Sequence, residues 1–120
     1  MTSTASNLKG RLSVTIVQAK NFDKCDPYFK LICDDLDTKT SKKKSCTEGT
    51  WNEEMSLSLD GSQDNFEIQM WDYDKWTSDD QQDTTGRISL NEALTNWGSG
   101  EPTWVNLKKG AKVQFSIRMC

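Results

Sequence analysis

Apolar and polar residues alternate at a period of two through most of the chain. In RLSVTIVQ, Leu12, Val14 and Ile16 fall on one face, the spacing of a strand with one face buried. MSLSLD repeats the pattern with Met55, Leu57 and Leu59, and FEIQMWD with Phe66, Ile68 and Met70. KVQFSIRM repeats it with Val113, Phe115, Ile117 and Met119. PYFKLIC and GRISL predict further strands with looser patterning, and TWVNL a short one. TKTSKKKS, Thr38 to Ser45, is a weaker candidate, because lysines are poor strand formers although common on sheet edges. Turn signals at Asp26-Pro27, Glu48-Gly49, Asp60-Gly61, Gly98 and Gly100, and Lys109-Gly110 separate the runs. LNEALTNWG predicts one short helix, with Asn91 as the candidate cap and Gly98 past its end. Short strands at near-regular spacing predict an all-β sandwich. No internal repeat or linker is visible. The expected organisation is a flexible lead-in over 1–10 and a single domain over 11–120.

Composition narrows the chemistry. A chain of 120 residues suits one compact domain. Mean hydropathy is −0.75, and no apolar run approaches the roughly 18 residues needed to cross a bilayer. The opening MTSTASNLKG has neither a basic nor an apolar stretch, so no secretory signal is expected and the cytoplasm is the expected location. The four cysteines, Cys25, Cys33, Cys46 and Cys120, form no CxxC pair, and there is no histidine. That argues against zinc binding and against Ser/His/Asp or Cys/His catalysis. Free thiols are the expectation in a reducing compartment.

The net charge of −3 hides a local asymmetry. TKTSKKKS is basic, whereas FDKCDP and WDYDKWTSDDQQD are acidic. Hard divalent cations take oxygen ligands, and calcium takes about 6–8 of them. Asp23 and Asp26 on one loop could face Asp72, Asp74, Asp79, Asp80 and Asp83 on another. Asp72 and Asp74 are two apart and point the same way in extended chain. Carboxylates gathered at one end of a sandwich repel one another unless a cation is present. Taken alone, aspartate-rich turns are more often solvated loops. An EF-hand does not fit, because Thr77 stands where that loop needs glycine and Asp83 where it needs glutamate.

In order along the chain come the strand LSVTIVQAKNF, then DPYFKL, a basic segment, WNE, WDYD, TGRISL and finally TWVNL. This succession resembles a C2 domain from Leu12 to Met119. The resemblance implies an eight-stranded antiparallel β-sandwich of two four-stranded sheets, similar to the type II permutation, with calcium-binding loops at one end. It implies Asp23 and Asp26 as first-loop ligands and Asp72 and Asp74 as the third-loop pair, around two calcium ions. The fifth ligand is Asp80 by its spacing from Asp72, or Asp83 by its spacing to Gly86. Thr77 or Ser78 falls where an oxygen side chain assists in some members. EGTW replaces the usual NPxW turn, and the third loop carries about three extra residues.

The resemblance also gives Trp76 a role. An amphipathic ring at a loop tip suits a membrane–water interface. The aspartates would repel anionic headgroups until cations offset their charge. Lys39, Lys42, Lys43 and Lys44 form a second candidate surface for anionic lipid, phosphatidylserine or phosphoinositide. Trp51, Trp71 and Trp104 are expected in or beside the core, and Cys25, between two carboxylates, is expected to be poorly reactive. The function expected is calcium-dependent binding of anionic phospholipid, as the targeting module of a larger signalling or trafficking protein. The alternative is a calcium-independent scaffold for protein or phosphoinositide docking. An enzyme is not expected from the chain itself, since no nucleophile–base pair is visible. Nucleic acid is not an expected partner for a chain of pI about 4.9 without aromatics interleaved in its basic segment. A monomer is expected.

Overall fold

The computed structural model describes residues 7–43 and 45–120, so the start of the lead-in and Lys44 lie outside the described residues. Among the described residues nine strands and one helix follow in chain order: β1 (Lys9–Lys20), β2 (Pro27–Cys33), β3 (Leu36–Lys39), β4 (Gly49–Asp60), β5 (Asn65–Asp72), β6 (Asp80–Thr84), β7 (Ile88–Ser89), α1 (Leu90–Trp97), β8 (Thr103–Asn106) and β9 (Lys112–Met119). One sheet has the order β4-β1-β9-β8 and the other β3-β2-β5-β6, with β7 also pairing β5. All pairings are antiparallel. The two-residue β7 continues the line of β6 along β5: Gln69 pairs Thr84, Phe66 pairs Ile88, and the Thr85 N–H bonds the Ile68 carbonyl between them. Counted this way, the sandwich has the eight expected strands in two four-stranded sheets.

The alternating runs produce the core. Leu12, Val14 and Ile16, then Phe29 and Leu31, then Phe66, Ile68 and Met70, then Val113, Phe115 and Ile117 all point between the sheets and are buried. Trp51 closes one flank by packing edge-on to Phe29, with ring centroids 5.0 Å apart. Trp97 of α1 does the same to Phe115 at 5.6 Å. Such edge-to-face pairs add about 0.5–1.5 kcal/mol beyond their buried area.

Several expectations change. β1 begins at Lys9, inside the expected lead-in. Ser89 caps α1 rather than Asn91, because its Oγ accepts the Glu92 N–H and Asn91 already lies within the helix. Gly98 does end the helix, and a Cβ there would come within 2.3 Å of the Leu94 carbonyl oxygen. Only Thr38 and Lys39 of the basic segment join β3. Beyond them the chain tracks β2 irregularly, through Thr40 N–H to Phe29 O and Lys43 N–H to Pro27 O. Trp104 lies on an outer face at 41 % exposure, under the Lys20 ammonium, and not in the core. Trp71 is half-buried and also faces outward, since it alternates with the inward Met70; Lys30 Nζ lies 3.8 Å from its ring centroid.

Candidate functional site

The antiparallel register gathers four connections at one end of the sandwich. Lys20 pairs Lys112, Ala19 pairs Gly49, and Pro27 pairs Asp72, which in turn pairs Asp80. Hence the β1–β2 loop, the β3–β4 segment, the β5–β6 loop and the β8–β9 hairpin share that end. Among the described residues no helix is long and apolar enough to cross a membrane.

The β1–β2 and β5–β6 loops are stitched together directly. Asp72 Oδ1 accepts the Asp26 N–H at 2.9 Å, and the Tyr73 N–H donates to the Asp26 carbonyl at 2.9 Å. Asp26 Oδ1 accepts the Ser45 N–H at 2.7 Å, which draws in the β3–β4 segment. Asp80 is exposed and stands directly opposite Asp72 on the neighbouring strand, so the two side chains leave the ladder on one face. Asp23 is exposed and lines an open cleft of about 540 Å³ with Lys20, Thr47, Glu48 and Lys112.

Asp74 serves its own loop. Its Oδ1 accepts the Trp76 and Thr77 N–H groups and its Oδ2 the Thr77 hydroxyl. These bonds, led by that hydroxyl, hold its carboxyl below the usual carboxylate range. Ser78 is exposed beside it. Asp79 braces the same loop, accepting the Asp74 N–H at 2.9 Å and the Tyr28 hydroxyl at 2.5 Å. Among the described residues, no three carboxylate or thiol groups converge as they stand closely enough to hold a metal ion. The donor set is nevertheless all hard carboxylate oxygen on loops that share one end, the chemistry that suits calcium.

Asp83 occupies a different environment. The register of β5 with β6 slips between Met70 and Trp71, which leaves Gln82 as an extra residue and sets Asp83 opposite the buried Met70. It is 3 % exposed. Oδ1 accepts the N–H groups of Thr84 and Lys109, at 2.8 and 2.7 Å, and Oδ2 that of Ala111 at 3.1 Å. The carboxylate thereby ties the second sheet to the β8–β9 hairpin of the first.

Cys25 is buried between the acidic loops. Burial pushes its thiol up to about 12, and Asp72, Cys46, Asp26 and Asp23 add to the shift. At pH 8 the thiolate fraction is therefore tiny, and iodoacetamide should label the exposed Cys120 long before Cys25. Peptide mapping after timed alkylation checks this, and labelling of Cys25 at the rate of Cys120 would contradict it.

Trp76 extends from the β5–β6 loop at 84 % exposure and does not fold back on the sandwich. Its only ring partner among the described residues is the adjacent Lys75, whose ammonium lies 4.9 Å from the centroid. The described lysines of the basic segment each rest on an aromatic ring. Lys39 lies over Tyr28 at 5.9 Å, Lys42 over Tyr73 at 3.4 Å and Lys43 over Trp51 at 5.6 Å, all within cation–π reach. Tyr28, Lys39, Lys42, Tyr73 and Asp79 line a hollow of about 260 Å³ there. The two tyrosines were not singled out from the sequence, although the outward position of Tyr28 in PYFKL was a usable signal.

Comparisons with known proteins agree with this architecture. The C2 domain model matches residues 10–107. The calcium-bound pair of C2 domains of Extended-Synaptotagmin 2 superposes with a TM-score of 0.76 at 19 % identity, over 92 % of this chain and 45 % of that one. A C2 domain-containing protein superposes with a TM-score of 0.78 at 23 % identity, over 100 % of this chain and 95 % of that one. Human GIVD cytosolic phospholipase A2 superposes with a TM-score of 0.71 at 21 % identity, over 93 % of this chain and 16 % of that one. At these identities the likeness is one of fold. No curated protein sequence matches the chain. With residues 10–107 of its 120 matched, the chain belongs to the C2 domain family.

Proposed function

We propose that this C2 domain binds anionic phospholipid membranes under calcium control and serves as a targeting module of a larger signalling or trafficking protein. The observation that carries the reading is Trp76, a large apolar side chain held 84 % exposed at the tip of an acidic loop. Neither a solvated loop nor a packed core has a use for that placement. Membership of the C2 family supports it, as does the shared end occupied by Asp23, Asp26, Asp72, Asp74 and Asp80. These five would hold two calcium ions, with Thr77 or Ser78 as further oxygen donors. Asp83 is left out, because three backbone N–H groups already occupy its carboxylate. Bound calcium would supply the positive charge that offsets the loops and admits an anionic headgroup. Because Asp74 is engaged with Thr77, cation uptake on this reading includes its release from that contact. The domain is proposed to be a cytoplasmic monomer that moves to phosphatidylserine-containing membranes when calcium rises.

Burying one tryptophan at an interface contributes about 1.5–3 kcal/mol. Trp76→Ala should therefore weaken vesicle binding on the order of 10- to 100-fold while leaving calcium affinity and thermal stability unchanged. Acyl-chain-brominated vesicles should quench one tryptophan in the parent and none in the variant. Equal loss of calcium and vesicle binding would overturn the anchor role and assign Trp76 to loop packing.

The lysine-on-aromatic hollow favours a second reading. Lys39, Lys42 and Lys43, with Lys44 outside the described residues, would take a phosphoinositide headgroup or an acidic protein segment without calcium. Such binding weakens with salt.

A further inference from the structure

The pairing of Cys25 with Cys46 belongs to neither reading of the site. The two residues form an isolated antiparallel bridge between the β1–β2 loop and the segment preceding β4. Each donates its N–H to the other's carbonyl, Cys25 to Cys46 at 3.2 Å and Cys46 to Cys25 at 2.9 Å. A pair that exchanges both bonds has its Cα atoms about 5.5 Å apart, inside the roughly 4.4–6.8 Å window of a disulfide, and its Cβ atoms near the wide end of about 4.5–5.5 Å, so closing the bond draws the two segments together by about 1 Å. Directly opposed residues also send their side chains to the same side of the ladder. Flanking bonds hold the register, from Lys43 N–H to Pro27 O and from Ser45 N–H to Asp26 Oδ1. The other cysteines are elsewhere: Cys33 pairs Leu36 at the far end of β2, and the Cys120 N–H bonds Arg11 at the start of β1.

We infer that Cys25 and Cys46 form a redox clasp, a dithiol that a small-molecule disulfide such as glutathione disulfide converts to an intramolecular disulfide. The half-buried Cys46 is the entry point and Cys25 the buried resolving partner. Cys46 sulfur attacks the glutathione disulfide and releases one glutathione. Cys25, held directly opposite and so reacting through proximity despite its small thiolate fraction, then attacks the mixed disulfide at Cys46 in the slow step and releases the second. The two cysteines lose two protons and two electrons, and glutathione disulfide gains them as two glutathione thiols. The bond closes a ring around β2 and β3 and fastens the acidic loop to the lysine segment.

The test uses the full chain, reduced and then incubated with glutathione disulfide. In Cys120→Ser, which removes the exposed thiol that glutathione would cap, thiols counted in denaturant should fall from three to one. Non-reducing digestion and mass spectrometry should recover one linked peptide pair, Cys25 with Cys46, from monomeric protein. Tm should rise by roughly 5–15 °C and return with dithiothreitol. The linked peptide pair and the Tm gain should be the same in the parent and in Cys120→Ser, and Cys46→Ser should lose both. Three thiols remaining in Cys120→Ser after oxidation would overturn the clasp. So would loss confined to intermolecular Cys120 links, or the same Tm gain in Cys46→Ser.

Discussion

Replacing Asp83 with asparagine is expected to cost about 2–4 kcal/mol of stability, seen as a Tm lowered by roughly 10–15 °C. The carboxylate is buried and accepts three backbone N–H groups, two on the β8–β9 hairpin. Hydrogen bonds to a charged acceptor contribute about 1.5–3 kcal/mol each, and an unsatisfied buried donor costs about 1–3. Asparagine keeps one acceptor oxygen and turns an amide N–H₂ toward one of those donors. The mate of this experiment is Asp80→Asn. Asp80 is exposed and faces Asp72, so its neutralisation should change stability by less than about 0.5 kcal/mol. Urea denaturation of both variants separates the roles. An Asp83→Asn protein as stable as the parent, with calcium binding lost, would make Asp83 a ligand instead of a brace.

Asp83 also marks the boundary of what could be read from the chain. The strands carrying Leu12, Phe66 and Val113 were legible because each has one buried face, and that alternation is the physical cause of the fold. DDQQDT has no such alternation. Its strand character comes from pairing with β5, a tertiary effect, and a one-residue slip at Gln82 decides which aspartate turns inward. Spacing along the sequence could therefore name Asp80 and Asp83 together but could not separate them. The helix was legible and its cap was not, since Ser89 and Asn91 are both good caps and the choice rests on where β7 releases the chain. Trp104 was misplaced because large aromatics usually go inside, yet it alternates with Val105, which packs on the core, so its side chain leaves the other face of β8. That the two acidic loops could share one end of the sandwich was legible, and the strand register places them there. The bonds that stitch Asp26 to Asp72 and turn Asp74 onto Thr77 depend on three-dimensional proximity and local turn geometry.

The double variant Asp72→Asn with Asp74→Asn should abolish calcium-dependent vesicle binding, with affinity reduced by more than about 100-fold. Two of the five proposed carboxylates lose their charge, and asparagine is a weaker calcium ligand. The fold should persist. An asparagine oxygen at position 72 can still accept the Asp26 N–H, and one at position 74 the N–H groups of Trp76 and Thr77. A Tm within a few degrees of the parent confirms that binding, not folding, was removed. Retention of calcium-dependent binding by a folded double variant would remove the third-loop pair from the site.

The most direct measurement is co-sedimentation of the domain with phosphatidylserine-containing and with neutral vesicles, each in calcium and in chelator. The predicted result is binding only to the anionic vesicles and only with calcium, lost in the Asp72/Asp74 double variant. Binding that is equal in calcium and chelator and falls with salt would contradict calcium control and move the function to the lysine segment. No binding under any of the four conditions would contradict the membrane reading itself.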